Sequence, residues 1–219
     1  MTTALLEPTT EEALPRPLSA RASASVAEVE ERLFRLSLDQ YHRLAEAGVL
    51  GPKDRVVLIE GLLIAKMTKH QPHILASCLV DEFLHRALPP GWFTSSQNPV
   101  AIAESASEPE PDAIVVRGAI RDYSTRRVTP AEVALVVEVA DSSVKFDHGL
   151  MKRLYAEAFI PTYWVVDIPA GRVVVYTDPT GPDSSPNYRR RVDLGPDDEL
   201  SLTLDAREIT RIRAGELLP

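Results

Sequence analysis

Glu108-Pro-Glu-Pro-Asp112-Ala-Ile-Val-Val116, answered further along by Val133-Ala-Leu-Val-Val-Glu138, is the stretch on which the fold turns. Ala113–Val116 and Val133–Val137 are short, continuous and rich in β-branched residues. Such runs form strands buried on both faces of a sheet. Asp112 opens the first strand and Glu138 closes the second. If the two strands are neighbours, these anions repel each other unless a cation sits between them. Mg²⁺ suits that place, because it is typically held by one or two carboxylates, water and substrate phosphate. The pattern therefore points to metal-assisted phosphodiester chemistry. Two isolated carboxylates are more often solvated strand ends, so the reading rests on the landmarks around them.

The chain has 219 residues, 24 of them basic and 32 acidic, for a net charge of −8. This balance argues against a broad non-specific nucleic-acid-binding surface, which needs many Lys and Arg. It leaves room for a nuclease, whose carboxylates are offset by bound metal. The single cysteine, Cys78, excludes an internal disulfide framework and a multi-cysteine zinc site. Its place in a helical pattern predicts a small buried hydrophobe. No segment approaches the roughly 18 apolar residues of a membrane span, and the N-terminus lacks a signal-peptide core. A soluble, cytoplasmic protein is expected.

Residues 1–30 read as a disordered tail: Pro8, Pro15 and Pro17 interrupt it, and Ser19–Ser25 has no apolar period. The remainder, 31–219, reads as one domain. Ser37 caps a short helix, and Gly61 between two apolar runs marks a hairpin or a sharply bent strand. Ile74, Leu75, Cys78, Leu79, Phe83 and Leu84 predict the buried face of a second helix. A third helix is expected from Gly149 to Phe159, then strands at Tyr163–Asp167 and Arg172–Tyr176 and further C-terminal strands. This order describes an α/β domain with a mixed sheet flanked by helices.

Four stretches in this order resemble the Uma-type restriction-endonuclease-like family of the PD-(D/E)XK nuclease superfamily. They are Val57–Leu63, Ser107–Asp112, Val136–Ser143, and Leu154–Ala156 with Ile160–Asp167. The resemblance covers roughly residues 35–218. It implies a restriction-endonuclease-like fold and a DNA endonuclease in which Asp112, Glu138 and the backbone carbonyl of Val139 hold Mg²⁺ or Mn²⁺. It also implies a lysine near the metal-bound water. The usual position, two residues after Glu138, is Ala140, and relatives supply the lysine where this chain has Met151. Lys152 is one residue on, about 100° around a helix. It is expected to bend toward the Asp112–Glu138 cleft, with Met151 turned into the core. Val57 stands where the family usually shows a glutamate. Glu60, the nearest acid, falls on the opposite face of a strand and reads as a solvated turn residue. The runner-up reading is a catalytically inactive module of the same fold, binding nucleic acid or protein.

His70 and His73 lie at the entry to the second helix, three residues apart. A zinc site would need further ligands. The resemblance gives His73 a phosphate or metal-bound water to contact; a helix-entry histidine bonded to backbone is the equal alternative. Lys66, Lys69, Arg126–Arg127 and Arg189–Arg191 are candidates for a strip tracking a DNA backbone. Tyr155, Tyr163 and Trp164 read as core. A homodimer would place one site on each strand of a duplex, with the Tyr163–Trp164 region or the strand at 172–176 supplying its edge.

Overall fold

Seven of the eight residues of Val133–Ala140 are buried, because this strand lies inside a sheet covered on both faces. In the computed structural model, which describes residues 32–219, the elements run α1 (Leu38–Glu46), β1 (Val56–Ile59), β2 (Leu62–Ala65), α2 (Gln71–Ala87), β3 (Trp92–Ser95), β4 (Ala113–Arg117) and β5 (Val133–Ala140). A helical segment follows in three pieces: one α turn at Val144–Phe146, a π segment at Asp147–Met151, and α3 (Lys152–Glu157). The chain then continues through β6 (Thr162–Asp167), β7 (Arg172–Pro179), β8 (Tyr188–Leu194), β9 (Glu199–Leu204) and β10 (Arg207–Arg213). Strands β3 to β8 form one six-stranded mixed sheet in chain order, antiparallel throughout except for the parallel β5–β6 pair. A parallel pair needs a crossover, and the helical segment between β5 and β6 provides it. β9 and β10 form a separate hairpin. The tail expected over residues 1–30 lies outside the described residues.

One face of the sheet buries Ile114, Val136, Val165 and Val174 against Leu154, Tyr155 and Ala156 of α3. The other buries Val115, Val137, Trp164 and Val173 against Ala76, Val80 and Leu84 of α2 and Leu200 and Leu202 of β9. β1 and β2 are joined by Glu60 and Gly61, whose φ values are +49° and +76°. Two successive positive φ angles make the tight hairpin turn that matches strand twist. Gly61 has a second reason to lack a side chain: a Cβ there would lie 2.6 Å from the Cβ of Arg35.

Two expectations are corrected by the structure. Helix α2 buries His73, Ala76, Val80, Phe83 and Leu84, while Ile74, Leu75 and Cys78 are exposed. Mixed apolar residues on both sides of the helix allow two faces, and the small Ala76 and branched Val80 fit against the sheet. Tyr163 and Trp164 are fully buried, and β7 is flanked by β6 and β8, so neither offers a dimer edge. Among the described residues no helix is long and apolar enough to cross a membrane.

Candidate active site

Antiparallel register brings the two carboxylates together. Ala113 pairs with Val137, so Asp112 and Glu138 stand opposite each other one position further out. Directly opposed residues of an antiparallel pair project to one face. The Asp112 backbone N–H donates to Glu138 Oε2 at 3.3 Å, and Val139 N–H donates to Asp112 Oδ2 at 2.9 Å. Both acids line a cavity of about 650 Å³ together with Val57, Ile64, Lys69, His73, Asp147 and Met151. Pro109 and Pro111 hold the approach to Asp112 extended, their carbonyls accepting from Val100 N–H and Gln97 N–H.

Each oxygen of the pair has a defined partner. Lys69 Nζ donates to Asp112 Oδ1 at 2.7 Å, and His73 Nε2 lies 3.2 Å from Oδ2. The other ring nitrogen of His73 is 3.2 Å from the Ser77 hydroxyl. Tyr155 Oη donates to Glu138 Oε1 at 2.7 Å. Burial pushes the Asp112 carboxyl up, but hydrogen bonds and charge from His73 and Lys69 outweigh it and hold the group below its usual range. Glu138 has no cation of its own; burial first, then the charges of Asp112 and Asp147, push it well above the carboxylate range. Without a cation, this side of the site therefore favours the protonated acid, and a bound cation would favour its ionisation.

Asp147 is a third acid in the same cavity, only 5% exposed and hydrogen-bonded by the Ser143 hydroxyl. It sits in the π segment, a distortion that proteins often retain at functional sites. Burial, reinforced by Asp112 and opposed by Ser143 and His73, raises its carboxyl to about 7. The unfolded carboxyl ionises near 3.9, so the folded state holds its proton to higher pH. Stability from this group is therefore present at acid pH and lost as pH rises from about 4 through 7. Asp147→Asn is expected to raise the thermal midpoint of the metal-free protein at pH 8, by about 1–3 kcal/mol in stability, and to change little at pH 4. Melting curves at the two pH values check this; equal shifts at both would contradict it.

Residues 38–214 match the family described as "Uma2: Putative restriction endonuclease". The chain belongs to the Uma2 family. A solved structure titled a "putative nuclease belonging to DUF820 from Anabaena variabilis ATCC 29413" is similar with a TM-score of 0.63 and 14% identity. The alignment covers 83% of this chain and 97% of that one. At this identity the likeness speaks for the fold alone: the restriction-endonuclease-like mixed sheet with an added C-terminal hairpin. No curated protein matches the chain.

Against the Uma2 pattern, the structure brings Asp112, Glu138, Val139 and His73 to one place and leaves Lys152 out of it. The Lys152 ammonium lies over the ring of Tyr176, 5.6 Å from its centroid, while Met151, 4% exposed, borders the cavity. The one-residue offset is therefore not recovered by the flexible stem. The π segment ends at Met151, and α3 starts with Lys152 turned toward β7. Val139 meets Asp112 through its N–H, not its carbonyl. Glu60 stays outside the cavity in an ion pair with Arg153, as a turn acid would. Four of the five arginines in the expected DNA strip are neutralised locally: Arg126 by Glu132, Arg127 by Glu108, Arg189 by Asp178 and Arg191 by Asp193. The basic residues that face the cavity are instead Lys66, Lys69 and Lys145, with His70 and His73 beside them.

Sequence reasoning named Lys69 only as part of a DNA-tracking strip, and it missed Asp147, the Tyr155 hydroxyl and the contact of Lys69 with Asp112. An acid placed between Phe146 and the apolar Leu150–Met151 was a usable signal for Asp147. Nothing local marked the other two, because their partners are distant in sequence.

Proposed function

We propose that this Uma2 protein is a metal-dependent nuclease that hydrolyses phosphodiester bonds in DNA, with Asp112 and Glu138 holding Mg²⁺ or Mn²⁺. The convergence of these two carboxylates in one cavity, held by the Asp112 N–H on Glu138 at 3.3 Å, carries the reading. The donor set fits such an ion: both side chains offer oxygen, and Glu138 is an acid without a cation of its own. Among the described residues no group of three or more His, Cys, Asp or Glu side chains is placed to hold a metal ion, so protein ligands alone would not complete the shell. A two-carboxylate hold completed by water is the mode typical of Mg²⁺. When bound, such an ion polarises the phosphate and lowers the pKa of a coordinated water.

The protein's own groups have separable tasks. Val139 N–H and His73 fix the orientation of Asp112, and Tyr155 fixes Glu138. Lys66, Lys69 and Lys145 at the cavity attract the substrate's phosphates. In hydrolysis the water oxygen bonds to phosphorus and the phosphorus–oxygen bond to one sugar breaks. The phosphate keeps the hydroxyl, and the leaving sugar oxygen takes up a proton.

One observation favours the inactive module: Met151 occupies the cavity wall where relatives carry lysine. Incubating the wild-type chain with supercoiled, linear and single-stranded DNA in Mg²⁺, Mn²⁺ or EDTA separates the readings. Metal-dependent cutting supports the nuclease; intact DNA in every condition sinks it. Lys152→Ala is expected to cut as fast as wild type, since its ammonium packs on Tyr176 outside the cavity. A loss beyond about tenfold would return Lys152 to the reaction.

A further inference from the structure

We infer that Lys69 is both the occupant of the metal position in the metal-free protein and the cation of the cleavage reaction. The inference rests on the nuclease reading above. A positive group beside the scissile phosphate is needed because negative charge grows there during attack. The helix that follows β5 does not provide it: position 151 is methionine, and Lys152 lies over Tyr176. Lys69, from the segment between β2 and α2, has its ammonium 2.7 Å from Asp112 Oδ1. Lys66, which lines the same cavity, is paired with Glu110. Lys145 also lines the cavity, but it is exposed, makes no ion pair among the described residues and holds neither carboxylate.

The consequence is a competition. Asp112 Oδ2 is held by Val139 N–H at 2.9 Å and approached by His73 at 3.2 Å, so Oδ1 is the oxygen most open to an ion. That oxygen is the one Lys69 holds. A lysine and a divalent ion cannot share it without repelling each other. Lys69 must therefore give way when metal is taken up. The displaced ammonium remains in the cavity at the end of a flexible four-carbon stem, beside the place where a phosphate meets the carboxylates. Lys69 thus opposes metal binding and favours catalysis, two effects of opposite sign from one side chain. A lysine that only stabilised the fold would show neither.

Calorimetric titration of the full chain with Mn²⁺, beside single-turnover cleavage of DNA, tests this. Lys69→Ala and the more nearly isosteric Lys69→Met are expected to bind Mn²⁺ about three- to tenfold more tightly than wild type. Both are expected to cleave about a hundredfold more slowly at saturating metal. Adding Met151→Lys to Lys69→Ala is expected to recover part of the rate, because position 151 borders the same cavity. Unchanged or weaker Mn²⁺ binding in both variants overturns the inference, as does undiminished cleavage. A wild-type chain that neither binds Mn²⁺ nor cuts DNA overturns the nuclease reading itself, a result distinct from either.

Discussion

Asp112→Asn is expected to leave the protein folded and to lower metal-dependent DNA cleavage by about a thousandfold or more. Asparagine keeps the shape of the side chain and an oxygen to accept from Val139 N–H, which is buried in the structure. Alanine would leave that N–H without a partner, at a cost of about 1–3 kcal/mol. What asparagine loses is the negative charge that faces Lys69, His73 and the proposed ion. Rates at saturating Mg²⁺, measured beside a melting curve for each variant, check the prediction. Cleavage within tenfold of wild type by a folded Asp112→Asn protein would remove Asp112 from the reaction.

Glu138→Gln is expected to move two quantities in opposite directions. In the metal-free protein the Glu138 carboxyl is pushed far above its usual range by burial and by Asp112 and Asp147. Such a group stabilises the fold only while it keeps its proton, and that contribution is lost as pH rises through its folded value. Glutamine has no proton to lose, and its amide can bond to both Tyr155 Oη and the Asp112 N–H. The metal-free variant should therefore melt several degrees higher at pH 8. It should also bind Mn²⁺ at least about a hundredfold more weakly, since loss of a direct ligand exceeds the effect of removing a group behind one. A variant that melts lower and still binds metal would show that Glu138 is a structural acid. The expected combination is that of a site kept at the expense of stability.

Much of the fold was legible because it rests on patterns local in sequence. The apolar runs at 113–116 and 133–137 are the central strands, and Glu60-Gly61 makes the hairpin turn. The opposition of Asp112 and Glu138 follows from the same runs, since antiparallel neighbours place the start of one beside the end of the other. The buried face of α2 was not legible. Ile74 and Leu75 are as apolar as the residues that pack, and the choice falls to the shape of the sheet against Ala76 and Val80. Tyr163 and Trp164 lie in interior strands, a fact set by strand order and not by their own composition.

The lysine was the hardest part to read. Lys152 lies one residue, about 100° of helix, from the position where the family resemblance places the lysine, but the π segment ending at Met151 and the ring of Tyr176 settle its direction. Lys69 meets Asp112 across 43 positions of sequence, where no local pattern connects them. Contacts of that kind are fixed by tertiary packing, here the placement of the α2 entrance beside the start of β4.

Anomalous diffraction from crystals soaked in Mn²⁺ at pH 8 tests the central claim most directly. The account predicts a peak about 2.0–2.3 Å from an Asp112 oxygen and a Glu138 oxygen, with Lys69 withdrawn from Asp112 Oδ1. Saturating Mn²⁺ that leaves no peak between these carboxylates, with Lys69 still on Asp112, would contradict it.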